Sequence, residues 1–341
     1  MLFGHGDDIQ QSTRVRMNFS SNVYQALQSV GLKSYLQMRL ESIDHYPPAE
    51  PVEEQSILAK YLQIPNDTLL LTNGATEAIY LVAAWLQKKL SCRCRSVILI
   101  PTFSEYEDAC RFAGHEVQCF TSLNEVPDDV SALWICNPNN PTGSCIPVAT
   151  LTAWAQRHPY ANLIIDQSYE DFCLSPMLTP SDAVRYSNII QLHSMTKRFA
   201  IPGLRLGYIV ASSSVIQGLR SIKMPWSVNA LALEACRWLL FNASPFDMQA
   251  FLDETQRFRS AINAIEGFEA LPTQTHFFLV KCQHWDSLEL KSLLLQKYGI
   301  LIRSCHNFQG LDNSFIRIAT QTKEENDFFV EVLEKELKNK K

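Results

Sequence analysis

Short apolar runs alternate with longer amphipathic stretches from about residue 67 to residue 213. The runs span 69–71, 97–100, 133–136, 163–165, 189–192 and 206–210. Between several of them apolar positions recur at helical spacing, over 77–89, 106–113 and 148–158. An apolar run too short for a helix reads as a strand buried on both faces, and the amphipathic stretches read as crossover helices. This alternation predicts an α/β fold with a mainly parallel central sheet covered on both sides. Such sheets bind ligands beyond the carboxyl ends of their strands, so the polar residues that follow each run are the first candidates for chemistry.

Beyond residue 225 the pattern changes. Residues 230–265 have helical spacing with a break near 242–245. A strand at 276–281, a helix at 286–298, strands at 300–304 and 315–319, and a final helix from Lys323 are predicted after it. This reads as a smaller α+β unit. The predicted organisation is a large domain over 46–225, a small domain over 226–341, and an N-terminal segment over 1–45 that packs with the small one.

The 341 residues are 46% hydrophobic and 19% charged, an ordinary globular balance. A net charge of -5 offers no basic field for nucleic acid or an anionic membrane, although a few local arginines suffice for a small anion. The longest apolar stretch, around 79–86, is far shorter than the roughly 20 residues that cross a bilayer. The start, MLFGHGDDIQQ, turns acidic and polar too soon for a signal peptide. The ten cysteines are irregularly spaced, and Cys92 and Cys94 form the only close pair, so no zinc set is expected. Cys110, Cys119, Cys136, Cys145, Cys173, Cys236, Cys282 and Cys305 are expected to be small buried hydrophobes in a reducing compartment. A soluble cytoplasmic protein is predicted.

The densest chemistry lies at 193–208, HSMTKRFAIPGLRLGY. Lys197 follows two hydroxyl residues, Ser194 and Thr196, just after an apolar run, where a solvated surface lysine has little reason to be. A lysine that attacks a carbonyl benefits from a site that lowers its pKa and holds it in place. Ser194, Thr196 and Arg205 suit a phosphate. Residues 72–77, Thr-Asn-Gly-Ala-Thr-Glu, read either as a turn with a capped helix or as an anion-binding helix N-terminus. Residues 101–106, Pro-Thr-Phe-Ser-Glu-Tyr, and 137–143, Asn-Pro-Asn-Asn-Pro-Thr-Gly, follow two further runs. Asp166 ends another, and a buried carboxylate there needs a cation. Arg317, within Phe-Ile-Arg-Ile-Ala, suits either a structural salt bridge or a grip on a carboxylate.

In this order the segments resemble the fold-type I pyridoxal-phosphate enzymes, the aminotransferase superfamily, over essentially the whole chain. The resemblance implies pyridoxal 5'-phosphate as cofactor, with Lys197 as its Schiff-base lysine. It implies Gly74, Ala75, Thr76, Ser194, Thr196 and Arg205 as the phosphate cup. Ala75 stands where serine or threonine is usual and offers only its backbone N–H. Tyr106 corresponds to the aromatic that stacks on the pyridine ring, and Asn140 and Tyr169 to the contacts of the 3-oxygen. Asp166 corresponds to the partner of the ring nitrogen, which keeps the ring an electron sink. The usual Asp-Glu-Ala-Tyr/Phe is Asp-Gln-Ser-Tyr here, with both contacting positions kept. Arg317 corresponds to the arginine that holds the substrate α-carboxylate. Tyr46, in His-Tyr-Pro, resembles the tyrosine that reaches the neighbouring subunit's cofactor phosphate, which implies a homodimer.

Fold does not name the reaction. The stretches 4–8, 223–232 and 301–312 are similar to the threonine-phosphate decarboxylases, lyases of cobalamin biosynthesis. The histidinol-phosphate aminotransferases share the cofactor motifs but match these three stretches less well. Both branches act on a phosphorylated amine, so an anion pocket is expected from His5, Asn22, Arg303 and Asn229. Asn22 and Asn229 suit local turns or caps equally. The decarboxylases carry Asn-Pro-Leu-Gly shortly after a Ser-x-Asn, whereas here Ser20-Ser21-Asn22 is followed by Val-Tyr-Gln-Ala. A binding protein that had lost catalysis would be expected to lack Lys197 or Asp166, and both are present.

Overall fold

The computed structural model describes residues 15–24, 27, 30–90 and 92–340. His5 and the stretch 4–8 lie outside the described residues.

Seven strands form the central sheet, in the order Leu69–Thr72, Gly207–Ala211, Ile189–Ser194, Asn162–Asp166, Ala132–Cys136, Arg95–Leu99, Glu116–Phe120. Gly207–Ala211 runs antiparallel to both neighbours, and the other six share one direction. Their carboxyl ends therefore line one edge, and the reversed strand begins at that same edge. Successive side chains point to opposite faces. Trp134 and Ile164 pack with Val82 and Leu86 of the helix Gly74–Lys89 on one side. Leu133, Leu163 and Ile165 pack with Leu151 and Trp154 of Val148–Arg157 on the other. Helices on both faces explain why these strands are apolar throughout rather than alternating.

A second sheet of four antiparallel strands has the order Arg303–Ser304, Phe315–Ala319, Phe277–Cys282, Phe268–Ala270. The strand predicted over 300–304 is in fact two. Ile300–Leu301 pairs in parallel with Met17–Asn18, and Arg303–Ser304 pairs with Phe315–Ala319, so the chain changes partners at Ile302. That first pairing brings the N-terminal segment to the second sheet, where Phe19 packs with Phe258, Phe278 and Phe329.

Three further differences from the sequence reading have local causes. Glu116–Phe120 is an unpredicted edge strand, with its first residue exposed and the rest half-buried, so it lacks a continuous apolar run. The helical stretch after residue 225 breaks where expected, into Ala230–Asn242 and Met248–Asn263, but the first of these packs on the large sheet. Its Ala232, Leu233, Cys236 and Leu239 share a cluster with Leu69, Leu71 and Val210. Cys119, Cys145 and Cys173 are only half-buried, contrary to the expectation for them. The latter two lie in loops, outside the apolar runs. Among the described residues no helix is long and apolar enough to cross a membrane.

Candidate active site

A cavity of about 740 Å³ opens at the carboxyl edge of the large sheet. Strand ends deliver its walls. Asp166 terminates Asn162–Asp166, and Ser194 terminates Ile189–Ser194 and leads into the single helical turn Met195–Arg198 that carries Lys197. Asn140 follows Ala132–Cys136, and Ala75 and Thr76 begin Gly74–Lys89. All of these residues line the cavity, together with Tyr106, Tyr169, Thr196, Arg205, Arg317 and Asn22.

Two glycines permit the tightest part of the wall. Gly74 has φ +74°, and a Cβ there would lie 2.7 Å from an Arg205 Nη. At Gly207 a Cβ would lie 2.7 Å from the carbonyl carbon of Gly74 and 2.8 Å from the backbone nitrogen of Ala75. The reversed strand thus presses its first residue against the helix start, and Arg205 lies over it. The result is a helix N-terminus beside a guanidinium, a ready receptor for an anion. Thr196 contributes a buried hydroxyl that has no hydrogen-bond partner within the protein. A buried polar atom left unpaired costs about 1–3 kcal/mol, so this cup fits a phosphate group.

Asp166 is buried and accepts three hydrogen bonds. Ser168 donates its backbone N–H at 2.9 Å and its hydroxyl at 2.5 Å to Oδ1, and the Tyr106 hydroxyl donates to Oδ2 at 2.7 Å. Tyr106 therefore does more than the sequence suggests. Its ring is fully buried and lies against Trp134 with centroids 6.0 Å apart, while its hydroxyl holds the carboxylate. Burial, and then the negative charge of Asp166, raises the Tyr106 pKa well above its usual value, which keeps it a donor. Phe103, passed over in the sequence reading, meets Tyr106 edge-on at 5.8 Å and lines the cavity.

Lys197 Nζ lies 5.9 Å from the centroid of the Tyr169 ring. Burial pushes the Tyr169 hydroxyl up to about 12 against the opposing influence of Arg317. Asn22 Nδ2 donates to that hydroxyl at 3.1 Å, and His276 Nε2 lies 3.1 Å from the Asn22 carbonyl oxygen. His276 is a residue that sequence reasoning missed. It is fully buried and its pKa falls to about 3, first through desolvation, with Lys197 and Arg317 adding to the fall against the hydrogen bond to Asn22.

Arg317 is buried, with Nη1 donating to Asn140 Oδ1 and Nη2 to the Ser20 carbonyl. Its Nε has no partner within the protein. Arg303 lines an adjoining recess, of which Phe103, Asn140 and Arg317 are the shared wall. It donates to Asn307 Oδ1 at 2.8 Å. The two remaining described candidates stand apart from the cavity. Asn229 is exposed and caps the helix Ala230–Asn242: Oδ1 accepts from the Ala232 N–H at 2.8 Å, and Nδ2 donates to the Leu204 carbonyl at 2.9 Å. Both ends of its amide are engaged in local structure, the capping role that the sequence also allowed. Tyr46 is 90% exposed, beside Trp226 with centroids 6.0 Å apart.

A lysine, a hydrogen-bonded buried carboxylate and an anion cup at one edge of a covered parallel sheet define a cofactor-dependent enzyme site. The aminotransferase class I and II family matches residues 14–333, and the chain belongs to this family of pyridoxal-phosphate-dependent enzymes. The chain is 32% identical to the threonine-phosphate decarboxylase of Salmonella typhimurium, over 95% of this chain and 93% of that one. The crystal structure of L-threonine-O-3-phosphate decarboxylase from Porphyromonas gingivalis superposes with a TM-score of 0.90 at 34% identity, covering 94% of this chain and 99% of that one. A histidinol-phosphate aminotransferase of Methanococcus aeolicus is 26% identical, over 90% of this chain and 86% of its own length.

Proposed function

We propose that this protein is a pyridoxal-phosphate-dependent decarboxylase of L-threonine O-3-phosphate. It yields CO2 and (R)-1-amino-2-propanol O-2-phosphate, as a step of cobalamin biosynthesis. The observation that carries this reading is the pair of buried arginines, Arg317 and Arg303, in adjoining compartments beside Lys197. The substrate has two anionic ends, a carboxylate and a phosphate. Arg317 suits the former and Arg303 the latter, each as a fork of donors.

Pyridoxal 5'-phosphate, when bound, supplies an electron sink for the pair released from whichever Cα bond stands perpendicular to its ring. In this reading Lys197 holds the cofactor covalently, and Gly74, Ala75, Thr76, Ser194, Thr196 and Arg205 hold its phosphate. Asp166 keeps the ring nitrogen protonated, and Tyr106 and Ser168 hold Asp166 in place. Asn140 and Tyr169 serve the 3-oxygen. Arg317 and Arg303 orient the substrate so that the Cα–carboxylate bond, rather than Cα–H, is the one aligned to break. Lys197, once released, is the group that returns a proton to Cα. The exposed Tyr46 reaches the cofactor phosphate of a second copy of the chain. The apolar side chains exposed near it, Ile43, Met224 and Trp226, support a homodimer whose interface covers them.

The test is incubation of the pure holoenzyme with L-threonine O-3-phosphate, measuring CO2 and the phosphorylated amine in equal amounts. Absence of CO2, with brisk amino transfer from histidinol phosphate to 2-oxoglutarate, would replace this reaction with that of the aminotransferases on the same cofactor residues.

A further inference from the structure

Cys145 lies five residues after Asn140, and Cys173 four residues after Tyr169. They belong to separate loops, yet their sulfurs stand 3.2 Å apart. Both side chains are half-buried and so within reach of a small solute, unlike the buried Cys94, Cys110, Cys136, Cys236, Cys282 and Cys305. Neighbouring contacts hold the two loops in this relation. Gln274 accepts the Cys145 backbone N–H at 2.9 Å, donates from its own side chain to Ser175 Oγ at 2.9 Å, and donates its backbone N–H to the Gly143 carbonyl at 2.9 Å. A disulfide needs the sulfurs at about 2.05 Å, a small further approach between loops that are already tied. The hydrogen bond from Cys145, with others from Ser175, lowers the Cys173 pKa despite partial burial, which favours its thiolate. A thiolate is the nucleophilic form of cysteine.

We propose that Cys145 and Cys173 are a reversible redox dithiol whose disulfide clamps together the loops that carry Asn140 and Tyr169 into the site. The oxidant is a hydroperoxide. The Cys173 sulfur attacks one peroxide oxygen and the O–O bond breaks. The leaving oxygen takes up a proton and departs as water or an alcohol, and Cys173 becomes a sulfenic acid. The Cys145 sulfur then attacks that sulfur, the S–O bond breaks, and hydroxide leaves as water with the Cys145 proton. Two thiols lose two electrons in all and the peroxide gains them. A dithiol reductant returns the electrons by thiol–disulfide exchange and becomes a disulfide itself.

The experiment uses the full-length holoenzyme treated with hydrogen peroxide, quenched with N-ethylmaleimide and mapped by mass spectrometry. The expected result is an unalkylated peptide pair joined between Cys145 and Cys173, lost after dithiothreitol. The oxidised protein should also have a higher Tm than the reduced one, because the cross-link restricts the unfolded chain. That gap should vanish in both Cys145→Ser and Cys173→Ser. Mapping on the unmutated protein needs neither variant to fold. Alkylation of both residues at a dose that modifies the exposed Cys92 overturns the proposal, as does a cross-link to other cysteines. A 145–173 disulfide that leaves Tm unchanged overturns the clamp.

Discussion

Arg303 and Arg317 sit directly opposite each other on adjacent antiparallel strands, and both are buried. Residues paired this way project from the same face of a sheet, where like charges repel. Asn307 Oδ1 accepts a hydrogen bond from Arg303, and Asn140 Oδ1 and the Ser20 carbonyl accept from Arg317. In the proposed reading the substrate's two anionic ends meet one arginine each. Arg303→Ala is expected to raise KM for L-threonine O-3-phosphate strongly, with a much smaller effect on unphosphorylated threonine. Loss of a charge-assisted hydrogen bond costs about 1.5–3 kcal/mol, or roughly ten- to a hundredfold in binding. Equal losses for the two substrates would place the phosphate elsewhere.

Lys197 is expected to carry the cofactor. The purified protein should absorb in the visible and lose that band on borohydride treatment, and the reduced adduct should map to Lys197. Lys197→Ala should abolish turnover while retaining some cofactor, since Arg205 and the start of Gly74–Lys89 remain. An adduct on a different lysine would sink the assignment.

Asp166→Asn keeps the size of the side chain and removes its charge. Turnover should fall by roughly a hundredfold or more, in the range seen when one electrostatic stabiliser is removed from a site. The Tm should change far less. Tyr106→Phe should give a smaller loss, about tenfold in kcat/KM, because Ser168 still donates twice to the carboxylate. Near-native turnover in Asp166→Asn would make the carboxylate structural.

His276 gives stability a specific pH dependence. Its ring in the unfolded chain takes up a proton below about pH 6.5, whereas in the folded protein it resists protonation down to about 3. Unfolding therefore binds a proton in that window. The contribution is fully present above about pH 6.5 and is lost as pH falls toward 3. Urea denaturation between pH 6.5 and 5 should show a stability slope that is steeper than that of His276→Gln by up to about 1.4 kcal/mol per pH unit. Identical slopes would mean that His276 is protonated in the folded protein.

Much of the site was legible in the sequence, because its chemistry lies within a few residues of strand ends that announce themselves locally. Asp166 ends an apolar run, Lys197 follows one by five residues, and Asn140 sits in a turn rich in proline and asparagine after another. Side chains that face both ways into helices leave an unbroken apolar signal, so the parallel strands were legible too. The edge strands Glu116–Phe120 and Phe268–Ala270 were not, since a strand with a half-exposed or polar face carries no such run. Nor could local pattern say what each polar group would meet. Tyr106 reaches Asp166 across 60 residues, His276 reaches Asn22 across 254, and Asn229 turned to the nearest helix end instead of the cavity. Strand order and register decided those contacts, along with the facing of Arg303 and Arg317. Periodicity along a chain sets which way a side chain points, but only the pairing of distant segments sets what stands there to receive it.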